Sequence, residues 1–186
     1  MSHPSARASD QPGAPAFDME RLFQEHYEYL RRLVQDLLGP GHDPEDLTQE
    51  ILILAWRKLH ELRGGNPRTW LAEIAIKRAS NWRRGVSFRR LLGLERAGDL
   101  ADYRTPEREA QANEASRIVY AVLDRMSEKR RTVFILFELK GMSGHEIALA
   151  LGCPIQTVYT RLHHARLDFE ARIAKDPKAQ QYEDWS

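Results

Sequence analysis

Apolar residues recur every three or four positions along almost the whole chain, and glycine and proline close off the stretches that carry them. No other feature limits the fold as much. The spacing demands helices, and no convincing apolar-polar alternation offers a strand. Leu22, Phe23, Tyr27, Leu30, Val34 and Leu37 mark a first helix, ended by Gly39, Pro40 and Gly41. Asp43 as N-cap, Pro44 at the first helical position, and Glu45 and Asp46 near the positive end of the dipole start a second, which runs to about residue 62. Gly64, Gly65, Asn66 and Pro67 force a loop, and a third helix covers about 69–84. Residues 85–110 read as a linker with room for a short helix near 88–92. Two helices follow at about 113–125 and 128–140. Ser143 with Glu146 is a capping box for a short helix that ends at Gly152, and Pro154 opens a last one that continues to about residue 174. The expected fold is all-α: two small helical domains, 17–92 and 113–175, joined by a linker at 93–112. The second contains a helix-turn-helix, and the tails are 1–16 and 176–186.

Composition narrows the function classes. The longest apolar run, 51–56, is six residues, far short of the roughly 20 needed to cross a bilayer. No apolar secretory segment is visible at the N-terminus, and a single cysteine, Cys153, excludes internal disulfides and a cysteine-based zinc site. The expected location is the cytoplasm. The formal net charge is only +1, but its distribution is uneven. Residues 18–61 carry a net −5 and residues 66–96 a net +6. An acidic segment beside a basic one implies two different partners, the basic one a candidate for nucleic acid.

Three constellations carry chemistry. The strongest is 143–166, where a capped helix of about two turns meets a tight turn at Gly152, Cys153 and Pro154. A second helix then sets Val158, Leu162 and Ala165 on one face. Ala148 and Gly152 are small enough to let the pair approach closely. Gln156, Thr157, Tyr159, Thr160, Arg161, His163, His164 and Arg166 point away from the core and can serve phosphates or base edges in a major groove. A plain helical hairpin would not need so many donors on one face. The third helix has a core stripe of Leu71, Ala75, Ala79 and Trp82 and a separate stripe of Trp70, Lys77, Asn81 and Arg84. Cations that follow a backbone and an aromatic face that receives a base are what single-stranded nucleic acid requires. Spacing alone leaves open the alternative of a solvated basic face with a half-buried Trp. The acidic second helix has a core face of Leu47, Ile51, Leu54, Ala55, Leu59 and Leu62. Opposite lie Gln49, Ile53, Trp56 and His60, flanked by Asp46 and Arg57. This is either a protein-binding surface or a helix buried on two sides.

Catalytic patterns are missing. His145 and Glu146 have no second His at zincin spacing, because position 149 is Leu. His163 and His164 point about 100° apart on a helix and cannot share one metal ion. No phosphate-cradling glycine loop or nucleophile elbow occurs, and no cofactor is called for. An enzyme reading therefore has little to stand on. A duplex-DNA regulator would use 126–173 but leave 43–84 without a purpose.

The stretches DPEDLTQEILILAWRKLHEL (43–62), PRTWLAEIAIKRASNWRRG (67–85) and MSEKRRTVFILFELKGMSGHEIALALGCPIQTVYTRLHHARLDFEARI (126–173) together resemble the extracytoplasmic-function (ECF) sigma factors of bacterial RNA polymerase. With the first helix, the resemblance covers about 17–175. It implies a non-catalytic subunit that binds core RNA polymerase and directs promoter-specific initiation. Asp46, Gln49, Glu50 and Arg57, with Ile53 and Trp56 on the same side, match the face that meets the clamp helices of the largest subunit. The loop from Arg63 to Thr69, which includes Asn66 and Arg68, matches the one that captures a flipped base of the −10 element. Trp70, Lys77, Asn81 and Arg84 would lie along the melted single strand, and the helix-turn-helix would read duplex DNA at −35. The flap of the second-largest subunit and an anti-sigma factor are the other implied partners. Departures from the family pattern stand at Lys77, where Asn is usual, and at Tyr159 and His164, where cations are common.

Overall fold

The structure is a computed structural model that describes residues 19–40, 42–62, 65–91 and 114–179. Among them it contains helices and no strand: α1 (Met19–Leu38), α2 (Glu45–Arg57), α3 (Pro67–Leu91), α4 (Glu114–Leu123), α5 (Glu128–Phe134), α6 (Gly144–Leu151) and α7 (Ile155–Ile173). None is long and apolar enough to cross a membrane. The expected linker at 93–112 and the two expected tails lie outside the described residues, except at 176–179. There the expected loose tail is packed, with Ala179 buried and Lys178 paired to Glu114 at 3.2 Å.

Helices α1, α2 and α3 bury Leu30, Leu33, Val34, Leu37, Ile51, Leu52, Ala55, Leu71, Ala75 and Ala79 against one another. Four boundaries differ from the sequence expectation, each for a local reason. Asp43 stands two positions before the first residue of α2. Its Oδ1 accepts from the Glu45 N–H at 2.9 Å, while Pro44 occupies the flanking position already in helical conformation. The same helix stops at Arg57, and the chain tightens into a 3-10 turn (Leu59–Glu61) that still tucks in Leu62. Helix α3 starts two residues early, because Asn66 Oδ1 accepts from the Arg68 N–H at 2.9 Å and Pro67 takes the first helical position. It also continues through Gly85 to Leu91 in place of a separate short helix, since glycine costs a helix interior only about 1 kcal/mol.

In the second domain α5 does not run straight to Lys140. A π-helical turn (Ile135–Leu139) follows it, with Lys140 N–H bonded back to the Ile135 carbonyl at 3.0 Å. The capping box forms as expected: Ser143 Oγ accepts from the Glu146 N–H at 3.2 Å, and the Glu146 carboxylate accepts from the Ser143 N–H at 2.9 Å. The Ser143 N–H, and the Ser143 hydroxyl that also donates to the Glu146 carboxylate at 2.8 Å, hold that carboxyl below its ordinary range. Val158, Leu162 and Ala165 of α7 are fully buried, on the face expected.

Candidate functional site

The helix-turn-helix uses two glycines with different duties, Gly152 in the turn and Gly144 at the start of α6. Gly152 is left-handed (φ +59°), and the Cys153 N–H reaches back to the Ala148 carbonyl at 3.1 Å, which closes α6 in a Schellman arrangement. Nothing lies within 4 Å of where a Cβ would stand on Gly152, so its role is conformation and not the close approach expected of it. Close approach falls to Gly144, where a Cβ would come within 2.7 Å of the Tyr159 hydroxyl oxygen. Helix α7 is thus held over the start of α6 by a tyrosine lying on a glycine. Gly152→Ala should cost about 1–2 kcal/mol in urea denaturation, the usual penalty for a left-handed non-glycine residue. Gly144→Ala should cost less than about 1 kcal/mol, because the clash is with the flexible end of a half-exposed ring. An equal loss in both would contradict this division.

Along α7, Gln156, Tyr159, Thr160, His163 and His164 are exposed, while Thr157 and Arg161 are half-buried. Thr160 Oγ1 donates to the Gln156 carbonyl at 2.9 Å, and the Arg161 guanidinium reaches Cys153 Sγ at 3.9 Å. Arg166 is engaged elsewhere: its Nε lies 2.7 Å from Glu138 Oε1, and its guanidinium sits 5.4 Å from the centre of the Phe137 ring. The π turn brings both partners round to meet it. The sequence set of outward-facing donors is therefore brought together on one helix, with Arg166 bound to its own domain.

Helix α3 carries the second set. Lys77, Asn81 and Arg84 are exposed, and Trp70 is half-buried against the core. Arg84 donates to Asn81 Oδ1. Lys77 is paired at 2.6 Å with Glu73, a residue that the stripe omitted although Glu four positions before Lys is a common helical pair. Arg68 lies 4.2 Å from the centre of the Tyr29 ring, and Asn66 is committed to capping α3. Arg63 lies outside the described residues.

The third set is on α2 and the 3-10 turn that follows it. Asp46, Gln49, Glu50, Ile53, Trp56, Arg57 and His60 are all exposed, with Ile53 at 51% and Trp56 at 64%. Of the two readings the sequence left open, Trp56 thus takes the surface one. Glu50 is tied to Arg78 of α3 at 3.0 Å. A groove lined by Phe23, Gln49, Leu52, Ile53 and Trp56 runs between α1 and α2. Phe23 is one of the apolar residues that mark the first helix in the sequence. It is 42% exposed and stacks on Tyr27 with ring centroids 5.2 Å apart. One position past Leu22, it is rotated about 100° away from the buried stripe, which is the signal that could have found it. Among the described residues no cluster of three metal-ligating side chains occurs.

Residues 22–89 match the family described as Sigma-70 region 2, and residues 116–169 match Sigma-70, region 4. The chain is 34% identical over 151 residues to the ECF RNA polymerase sigma-E factor of Escherichia coli strain K12, covering 76% of each protein. It is 30% identical over 169 residues to the ECF RNA polymerase sigma factor SigE of Mycolicibacterium smegmatis, covering 89% of this chain and 65% of that one. Two solved structures share the fold. RpoE in complex with the anti-sigma factor NepR from Bartonella quintana has a TM-score of 0.62 at 23% identity, over 86% of this chain and 98% of that one. CnrH in complex with the cytosolic domain of CnrY has 0.60 at 23%, over 85% and 88%.

Proposed function

The chain belongs to the ECF RNA polymerase sigma factors, and from that premise we propose that it binds core RNA polymerase and carries it to promoters with distinct −10 and −35 elements. It is a non-catalytic specificity subunit of transcription initiation. The observation that carries the finer reading is the groove of Phe23, Leu52, Ile53 and Trp56, with Gln49 at its edge. It lies on the domain that lacks the helix-turn-helix, and a regulator that only bound duplex DNA would have no use for it. An exposed Trp beside an exposed Ile is the kind of anchor that protein interfaces concentrate. Asp46, Gln49, Glu50, Ile53, Trp56 and Arg57 would then meet the clamp helices of the largest polymerase subunit, and the second domain the flap of the second-largest.

On the same reading, the loop from Arg63 through Asn66 and Arg68, with Trp70, Lys77, Asn81 and Arg84, takes the melted −10 strand. Gln156, Thr157, Tyr159, Thr160, Arg161, His163 and His164 read the −35 duplex, joined by Arg166 only if it leaves Glu138. An anti-sigma factor that covers these faces would silence the protein. The test is run-off transcription from a library of fragments of the source genome. With core polymerase plus this protein, specific transcripts are expected that core polymerase alone does not make. Failure to give any specific transcript, together with failure to co-elute with core polymerase, would overturn the reading.

A further inference from the structure

Helix α3 carries an aromatic residue on its nucleic-acid stripe beyond those that the sequence spacing assigns. The helix continues through Gly85 to Leu91, and these added turns present Phe88 with 61% of its surface exposed, close to the 64% of Trp56. Phe88 stands eighteen positions past Trp70, five full turns at 3.6 residues each. The two residues therefore share one line along the helix, about 27 Å apart. Lys77, Asn81 and Arg84 fall within about 40° of that line, so Phe88 ends a stripe that Trp70 begins. A single exposed Phe is ordinary on a protein surface. One that closes a row of cations and an amide, with a second aromatic at the other end, has the makeup of a single-strand track.

Charge sets this end of the helix apart. Lys77 is paired with Glu73, Arg78 with Glu50, and Arg83 with Asp124 and Glu128 at 3.1 and 3.3 Å. Arg84 and Arg89, which bracket Phe88 in sequence, are exposed and have no carboxylate partner among the described residues. Cations left without anions beside an aromatic face suit a polyanion whose bases stack. Gly85 adds a second local feature. It lies about 60° round the helix from Phe88. Among the described residues, and apart from the helix backbone, only Arg89 Nη1 comes within 4 Å of where its Cβ would stand, at 3.8 Å. No packing neighbour calls for a glycine there, and glycine is a poor residue for a helix interior. The missing side chain leaves the backbone open beside the ring, with room for a sugar-phosphate chain to come close.

The direction of the helix decides what Phe88 meets. The chain leaves α3 at residue 91 and must reach the second domain, the proposed reader of the −35 element upstream. Residues 92–113 span at most about 75 Å when fully extended. About 85 Å of duplex separate −35 from −10. An α3 that pointed the other way would add about 27 Å to that path and put the −35 element out of reach. The end that bears Phe88 therefore points upstream, while the loop before Trp70 lies downstream. Phe88 stands one turn past Arg84, about 6 Å or two base steps closer to the paired DNA. We propose that Phe88 stacks on the last base pair at the upstream edge of the melted −10 element. Arg84 and Arg89 hold the phosphates on either side of it, and the ring keeps the strands from closing back over that edge. This role rests on the proposed reading of the −10 element and goes beyond it.

The test uses the full chain with core polymerase and a promoter recovered by run-off transcription. Three probes of that sequence are compared: a fork with the −10 strand unpaired and its upstream flank duplex, the same unpaired strand without the flank, and the −35 duplex. Phe88→Ala should weaken binding to the fork at least about fivefold, the low end for one base stacked on an aromatic ring. Binding to the other two probes should change by less than about twofold. Phe88→Trp should restore fork binding. A 2-aminopurine at the last paired position of the fork should be quenched by the wild type and by Phe88→Trp, but not by Phe88→Ala. Arg89→Ala should lower the log-log salt slope for the fork by about 0.9, the share of one duplex phosphate. Phe88 is exposed, so helicity by circular dichroism should match the wild type throughout. Unchanged fork affinity in Phe88→Ala would overturn the role. Equal losses on the fork and on the bare strand would remove Phe88 from the duplex edge and overturn it too. A matching loss of affinity for core polymerase would make Phe88 a protein contact instead. A wild-type chain that adds no fork affinity to core polymerase would sink the promoter reading itself, a failure visible before any variant is made.

Discussion

Trp56→Ala weakens binding to core RNA polymerase by at least about 30-fold, the equivalent of about 2 kcal/mol for an anchor residue. The expectation follows from where the indole stands. It is 64% exposed, beside an Ile that is 51% exposed, on a groove with Phe23 at its far wall. Apolar area of this size exposed on a small protein is worth most when a partner covers it. Little of Trp56 packs within the chain, so its loss should move the urea midpoint by an amount equivalent to no more than about 0.5 kcal/mol. Asp46→Ala with Gln49→Ala should weaken binding less, because both are rim groups in water. Competition against a labelled wild-type chain for core polymerase gives both affinities. A Trp56→Ala chain that competes as well as the wild type, with an unchanged circular dichroism spectrum, would remove this groove from the polymerase interface.

Most of the helices were legible from spacing, because core positions in helices repeat with a fixed period. Val158, Leu162 and Ala165, or Leu71, Ala75 and Ala79, are buried as the period requires. Boundaries were less legible, because local bonds decide them. Asn66 and Pro67 together start α3 two residues before the periodic pattern does, and no pattern announces the π turn after Phe134. The candidate site shows the same division. Exposure of Gln49, Ile53 and Trp56 could be read from the helix face. The engagement of Arg166 with Glu138 and of Glu50 with Arg78 could not, since those pairs span different helices. Least legible was Arg131. A charged residue in a sequence reads as surface, and only the packing of two domains makes its burial intelligible.

The basic third helix should prove to be a single-strand binder whose contacts separate into stacking and charge. Trp70→Ala should weaken binding of the polymerase complex to a premelted −10 bubble by roughly 5- to 150-fold, the range for one base stacked on an aromatic ring. Trp70 is half-buried against the core, so this variant alone would confuse stability with recognition. Lys77→Ala separates them. Its ammonium is exposed and held at 2.6 Å by Glu73, so nothing in the core depends on it. Binding the strand requires Lys77 to exchange Glu73 for a phosphate. The variant should bind the bubble more weakly and flatten the log-log salt dependence by about 0.7, the share of one single-strand phosphate contact. Glu73→Gln should do the opposite to affinity, because it frees the lysine without removing it. Neither change touches the recognition helix, so binding to a −35 duplex should match the wild type. Closed complexes should therefore still form, while permanganate-detected melting falls in the Trp70 and Lys77 variants. Bubble affinity and salt slope indistinguishable from wild type in all three variants would leave this helix as a solvated structural face and move −10 recognition elsewhere.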